Sequence, residues 1–455
     1  MKFLTTLDGS DRIPRPEQAN YLKHLDKVWS DHRYFVLNAA PGLGKSMIAR
    51  TINRTVPSSA IVTPSNQLVD QYHDAYPELI PLKGKEHYET PECYALAKTM
   101  ANNGAPCVFN PISFFYHYLS NPDLKPNVVI IDEAHKLANL LVNVVSQTFH
   151  CNYYSVPLGL NDAGFLDWLS KKCDKLALVK DRTDSFRSQY ERLTLLHRYL
   201  QNNIKKVKIS YQDLPNYRTG VKEKHLCITP LVFPTDLLTT VFGDAKIIFM
   251  SGTMFPIHMK ELGIEKYDYK EYNSACPIDN RRINIYPSSD RSDCRAHSQI
   301  ISKAMEQIGS PNTIVHVPYS QQKTYKQHLP NALTHTKETK EKALSKFKKK
   351  GGILLASGMA EGVDLPGDDC RLLVIPKLLY PNLGDDAVKK RILMPDGQTW
   401  YNMQTITTTI QQIYRGVRGP DDACVILILD PTFERLLSRV KQHLPKDFIR
   451  SISWG

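Results

Sequence analysis

Asn38-Ala39-Ala40-Pro41-Gly42-Leu43-Gly44-Lys45-Ser46 follows directly on the apolar run Tyr34-Phe35-Val36-Leu37, and that junction decides the fold. A buried strand that breaks into a glycine-rich loop and re-enters a helix aims several backbone N–H groups at one point, where the positive end of the helix dipole adds to the pull on an anion. Gly42 and Gly44 permit the tight turn. Lys45 is placed to reach β- and γ-phosphates as a point charge, and the Ser46 hydroxyl to ligate a magnesium ion that bridges them.

A second site downstream supports the first. Asn127-Val128-Val129-Ile130-Ile131 reads as a fully buried strand, and it delivers Asp132-Glu133-Ala134-His135 to its C-terminal end, where open α/β sheets bind ligands. Asp132 is placed to hold the magnesium shell, and Glu133 to orient and deprotonate an attacking water. Together the two stretches imply nucleoside triphosphate hydrolysis with ATP and Mg²⁺.

Composition sets the bounds. At 455 residues the chain should make about three domains by length alone, and each can bury a core of its own. The net charge of +12 favours a polyanionic partner. Nine cysteines, an odd number without regular pairs, suit a reducing compartment better than a disulfide framework. No apolar run approaches the ~20 residues of a bilayer span, and Met1-Lys2-Phe3-Leu4-Thr5-Thr6 is too short and polar for a secretory signal. A cytoplasmic, monomeric protein without a membrane partner is expected.

Outward from the phosphate loop, Arg15-Pro16-Glu17-Gln18 opens a helical pattern through Tyr21, Leu22, Leu25 and Val28, with Pro16 suited to the first turn. Gln18 offers donor and acceptor to an adenine edge, and Arg15 accompanies it. Ser59-Ala60-Ile61-Val62-Thr63-Pro64 reads as another buried strand, with Thr63 free to donate to a nucleic-acid phosphate. Turn signals at about 81–126 predict an insertion, and a second, mainly helical one is predicted at about 145–224, where Tyr190, Leu193, Leu196 and Leu200 share a helix face. The strand Ala245-Lys246-Ile247-Ile248-Phe249-Met250 ends in Ser251-Gly252-Thr253, either a simple turn or a link between the ATP and nucleic-acid sites. Further strands at 312–317, 352–356, 371–375 and 423–429, with a helix at 405–414, predict a second α/β half. Lys346-Phe347-Lys348-Lys349-Lys350 reads first as a solvated helix face.

The ordered motifs resemble those of superfamily 2 helicases, and within them the XPD/DinG branch. The resemblance rests on Arg15-Pro16-Glu17-Gln18, residues 39–46, Thr63-Pro64, Asp132-Glu133-Ala134-His135, Ser251-Gly252-Thr253, Glu361-Gly362-Val363-Asp364-Leu365-Pro366-Gly367 and residues 411–418. Ala39, where the usual pattern has glycine, fits the variant that nucleic-acid motors commonly carry. The resemblance implies an α/β fold of two RecA-like P-loop domains, 1–255 and 256–455, the first carrying a degenerate cluster-domain-like insertion and a shortened arch-like one. It also implies that Gln411, Arg415 and Arg418 face the phosphates from the second domain, that Asp364 lies near the ribose, and that movement is 5′ to 3′ on single-stranded DNA. The motif Gln411-Gln412-Ile413-Tyr414-Arg415-Gly416-Val417-Arg418 departs from Q-x-x-G-R-x-x-R at Tyr414. Many relatives hold an iron–sulfur cluster with four cysteines between the phosphate loop and the DEAH box. Only Cys93 and Cys107 lie in that interval, so no cluster is expected, and the spacing of His87 and His117 matches no familiar zinc pattern. The rival readings are an RNA helicase, a translocase that displaces proteins, and a nucleic-acid clamp whose ATPase is regulatory or decayed.

Overall fold

The computed structural model describes Phe3, residues 13–179, 184–216, 219–287, 290–309, 312–359, Leu365, and residues 367–417 and 419–454. Sixteen strands are set out along it: β1 Tyr34–Ala39, β2 Ser59–Val62, β3 Ile80–Leu82, β4 Cys107–Phe109, β5 Val128–Asp132, β6 Gln147–His150, β7 Val207–Pro215, β8 Lys222–Pro230, β9 Lys246–Ser251, β10 Asp268–Tyr272, β11 Ile283–Ile285, β12 Thr313–His316, β13 Ile353–Ala356, β14 Leu372–Ile375, β15 Val425–Ile428 and β16 Ile452–Trp454.

Seven of these form a parallel sheet in the order β10-β1-β9-β5-β2-β4-β3, and six form a second parallel sheet in the order β13-β12-β14-β15-β11-β16. Parallel strands need crossovers, and the helices that supply them cover both faces, which is why β5 is apolar at consecutive positions and buried throughout. Its side chains divide by period two: Val129 and Ile131 enter one core, while Val128 and Ile130 enter another with Tyr21, Leu22, Ile48 and Ile52 from the helices Pro16–Val28 and Lys45–Thr55. These are the two RecA-like domains read from the sequence.

Three boundaries differ from that reading. The first sheet takes in β10, so the chain crosses to the second sheet between Tyr272 and Ile283 and not at 255/256. The region 81–126 gives β4 and most of β3 to the edge of the main sheet and the helix Pro111–Ser120, through Phe114 and Phe115, to the first domain's core, so the helix Pro91–Asn102 and its flanks are what is left as an insertion. Three-residue strands leave almost no periodicity to read. The arch-like unit is mixed, not mainly helical. Besides the helices Asp162–Ala177 and Asp184–Asn203 it holds the antiparallel sheet β6-β8-β7, with β7 and β8 paired from Val207↔Pro230 to Pro215↔Lys222, so it runs past residue 224. The alternation Val207, Ile209, Tyr211 was a period-two signal for that hairpin.

Three neighbouring strands of the first sheet, β1, β9 and β5, end side by side. Their C-terminal ends carry the phosphate loop, Ser251-Gly252-Thr253 and Asp132-Glu133. The second domain packs toward that edge through its helix Gly397–Ile413, whose Gln404 donates to Glu261 Oε1 at 3.1 Å and whose next turns bring Gln411 to His135.

Candidate active site

The phosphate loop turns on two left-handed glycines, Gly42 at φ +86° and Gly44 at φ +81°, the latter capping the helix Lys45–Thr55. A Cβ at Gly44 would also run into the Gln18 amide. Lys45 Nζ lies over the loop and donates to Ala39 O at 3.3 Å, and Ser46 is exposed in the first helical turn.

Gln18 is placed otherwise than expected. It is buried, its Oε1 accepts from Arg15 N at 2.7 Å, and its Nε2 donates to Leu43 O at 2.7 Å and Gly44 O at 3.3 Å. The exposed Arg15 donates to Gly42 O. Both residues therefore grip the loop backbone, and the Gln18 amide has no free edge for adenine. The loop carbonyls of Leu43 and Gly44 take the amide N–H groups of Gln18 that an adenine edge would have used.

At the end of β5, the buried Asp132 accepts from the Tyr72 hydroxyl at 3.0 Å and from the Glu133 N–H at 3.0 Å. Burial and then the adjoining Glu133 charge raise its pKa, against the pull of Lys45. Burial works to raise Glu133 as well, but Lys45, His135, Lys136 and Arg415 overcome it and hold that carboxyl below the usual range. Glu133 sits at φ +49°, a left-handed backbone that costs a non-glycine residue about 1 kcal/mol or more and aims the carboxylate out of the strand. A magnesium ion fits this corner: Asp132 is a buried carboxylate with spare lone pairs, and Mg²⁺ is commonly held by one or two carboxylates with the remaining ligands from phosphates and water. Among the described residues no three His, Cys, Asp or Glu side chains are grouped as an all-protein metal cage would require.

His135 joins the two domains. Gln411 Nε2 donates to His135 Nε2 at 2.5 Å, His135 Nδ1 donates to Ser251 Oγ at 2.7 Å, and Ser251 Oγ donates to Glu133 Oε2 at 3.3 Å. That chain requires the neutral imidazole, and burial pushes the His135 pKa down to about 4. Gln411 also donates to Thr253 Oγ1 at 3.2 Å, and Thr253 N donates to Ser251 Oγ at 3.1 Å. Ser251 and Thr253 are thus spent inside the cleft. Gly252 lies flush on the phosphate loop, since a Cβ there would stand 3.2 Å from Ala39 O.

Thr63 is not brought to the surface. It is fully buried, and its hydroxyl donates to Ser65 O at 3.2 Å, closing the turn into the helix Asn66–Ala75. Asp364 and Arg418 lie outside the described residues. Arg415 follows the helix Gly397–Ile413, and its charge reaches Glu133, Lys136 and Lys340. Lys136 and Lys340 were missed by sequence reasoning. The first directly follows the DEAH stretch, and that adjacency was the signal for it; the second opens a lysine-rich helix, Lys340–Lys350, and nothing local marks it out from its neighbours.

The two cysteines between the phosphate loop and the DEAH stretch part company. Cys93 is exposed in the first turn of the helix Pro91–Asn102, while Cys107 is buried on β4, its thiol donating to Ala105 O at 3.1 Å and pushed by burial up to about 12.

Residues 304–450 match the family described as the helicase C-terminal domain, and residues 12–158 match the type III restriction enzyme, res subunit. A probable ATP-dependent helicase of Methanocaldococcus jannaschii is 25% identical over 279 residues, which take in 53% of this chain and 42% of that protein, so the match spans less than half of the relative's length. Among solved structures, an XPD helicase is similar with a TM-score of 0.62 at 15% identity, over 98% of this chain and 100% of the other. Xpd4 of S. tokodaii gives a TM-score of 0.62 at 14% identity, over 97% and 100%.

Proposed function

By its two matched domains and its fold the chain belongs to the XPD-like superfamily 2 helicases, and from that premise we propose that it is an ATP-driven DNA helicase moving 5′ to 3′ along single-stranded DNA. The observation that carries the reading is the convergence on Glu133 of cations from both domains, Lys45 and Lys136 from one and Arg415 from the other.

In this reading Lys45 and the loop N–H groups take the β- and γ-phosphates, and Ser46 and Asp132 hold Mg²⁺, which when bound neutralises phosphate charge. Glu133 orients a water and accepts its proton as the oxygen attacks the γ-phosphorus and the bond to the leaving ADP oxygen breaks. Arg415, and by the family resemblance Arg418, stabilises charge on the transferring phosphoryl group, a contribution of about 10³ to 10⁵ in rate. Asp364 approaches the ribose, and Arg15 and Gln18 tune the loop. Because the arginines come from the second domain, hydrolysis requires closure, and the His135 bridge ties closure to Ser251 and Thr253.

Single-stranded nucleic acid is the partner, gripped mainly by its phosphates, as the net charge of +12 favours. DNA is preferred over RNA on the motif V resemblance of residues 360–367, and the absence of an iron–sulfur cluster belongs to the same proposal, as does a cytoplasmic location. No helix among the described residues is long and apolar enough to cross a membrane.

A steady-state ATPase assay with single-stranded DNA, single-stranded RNA and neither, joined to unwinding of duplexes with only a 5′ or only a 3′ tail, tests the proposal. Stimulation by DNA and opening of the 5′-tailed duplex are expected. Stimulation by RNA alone would make it an RNA helicase, stimulated hydrolysis without opening a translocase, and unstimulated or absent hydrolysis a clamp.

A further inference from the structure

The departure at Tyr414 has a place in the structure. Tyr414 ends the helix Gly397–Ile413, immediately before Arg415, and it is buried at 7% exposure. It lines a small cavity in the seam between the domains together with Asn38 and Ala40 at the phosphate loop, Gly252 and Phe255 beyond β9, and Ile410 one turn back on its own helix. Phe255 belongs to the first half of the chain, four residues past the end of β9, yet it is 1% exposed and sits in the hydrophobic core of the second domain with Ile410 and Tyr414.

The stretch from Gly252 to Phe255 is therefore pinned at both ends. Gly252 presses on Ala39 O and Pro41 of the phosphate loop, at 3.2 and 3.1 Å from where a Cβ would stand, and Phe255 is locked into the opposite domain. Close approach of backbone in the motif is met two residues after Tyr414, by Gly416, where a Cβ would stand 2.7 Å from Cys424 Sγ and 3.2 Å from Cys370 Sγ. A glycine at 414 is thus not needed for packing, and the aromatic ring fills the seam instead.

We propose that Tyr414 is a positioning residue for Arg415: packed in the interdomain seam that Phe255 also enters, its side chain fixes where the arginine stands relative to Glu133. Packed interiors transmit displacement because they do not deform continuously. Removing an aromatic side chain from the seam lets the helix end settle, and a shift of ~1 Å in a charged group that acts only on the transition state costs about 10²-fold in rate. Tyr414 does not touch the nucleotide in this account, so the loss falls on kcat and not on KM. The inference rests on the ATPase reading above.

The test is steady-state ATP hydrolysis at saturating single-stranded DNA, with binding of a fluorescent ATP analogue measured in parallel, for the full chain and its Tyr414→Gly, Tyr414→Leu, Tyr414→Phe, Phe255→Ala and Arg415→Ala variants. Tyr414→Gly is expected to lose about 10²-fold in kcat with analogue affinity within about threefold of wild type. Tyr414→Leu, which fills only part of the seam and so guards against a misfolded glycine variant, falls by a smaller factor, and Tyr414→Phe recovers most of the rate. Phe255→Ala follows Tyr414→Gly, and adding Tyr414→Gly to Arg415→Ala costs little more, because both act through one group. Wild-type turnover by Tyr414→Gly or Tyr414→Leu, a Tyr414→Phe variant as impaired as the glycine variant, or full additivity with Arg415→Ala would overturn the proposal. If the wild-type protein itself hydrolysed no ATP under these conditions, the ATPase reading would fall, a result told apart by every variant matching wild type.

Discussion

The two walls of the cleft are held in different ways. On the first domain's wall Gln18 clasps the phosphate loop, Tyr72 and the Glu133 N–H hold Asp132, and His135, Ser251 and Glu133 form a hydrogen-bonded row. On the second domain's wall Gln411 reaches across the cleft, but a buried imidazole is left untied. His316, buried at the end of β12, has neither ring nitrogen hydrogen-bonded; burial and then the Arg415 charge push its pKa down to about 3. The helix end that presents Arg415 is fixed by apolar packing around Ile410, Ile413 and Tyr414. A preorganised polar wall binds the ligand, and a wall of charge on an apolar mount responds to it. The division assigns affinity to the first domain, which also carries the base Glu133, and leaves the second domain a part in rate alone.

The largest effect that can break this division is on the first wall. Lys45→Ala is expected to remove hydrolysis by about 10³-fold with loss of nucleotide affinity, whereas Glu133→Gln keeps binding and loses about 10³-fold in kcat. Equal affinity losses in an equilibrium binding assay would show that the wall does not separate the roles. A second, comparable effect belongs to Arg415→Ala, with kcat lower by about 10³-fold and affinity nearly unchanged. His135→Ala cuts the row between Gln411 and Ser251, and should reduce stimulation by a single strand about tenfold while the unstimulated rate moves less. If both rates fell together, the bridge would be catalytic support and not a link.

Smaller effects sharpen the mount. Gly416→Ala places a methyl against Cys424 and Cys370 and should destabilise the second domain by about 1–3 kcal/mol, read as a lower melting temperature with nucleotide affinity intact. Glu261, on the helix Pro256–Glu261 against Gln404, is raised by burial from 4.5 to about 8. Between those values the folded protein holds a proton that the unfolded chain has released, so stability falls as pH rises through that window. The melting temperature should decline less steeply over the same range in Glu261→Gln; parallel curves would remove Glu261 from the seam's electrostatics. The smallest effect is expected from Cys93→Ser, an exposed site, with stability and ATPase unmoved and no iron in the purified protein.

Those effects fall on features of unequal legibility. The phosphate loop and the Asp132-Glu133 strand end were readable because fully buried parallel strands are long apolar runs with sharp glycine or acidic ends. The short edge strands β3 and β4 were not, since three residues carry no period. The hairpin β7–β8 carried its alternation openly and was overridden by the helical pattern before it. In the site, residue types announced what each group offers a ligand, but not what it is tied to. Gln18 and Thr63 both looked free to bind and are both spent on backbone carbonyls, a contest that only the folded neighbourhood decides. The bridge from Gln411 through His135 joins residues 276 positions apart in the chain, beyond any local pattern.

The most direct test of a binding wall and a rate wall is the hydrolysis rate of Arg415→Ala at saturating ATP, with and without single-stranded DNA, beside its affinity for the nucleotide. Wild-type affinity with turnover reduced about 10³-fold and unresponsive to the strand is the expected result. Turnover near the wild-type rate, still raised by the strand, would contradict the account.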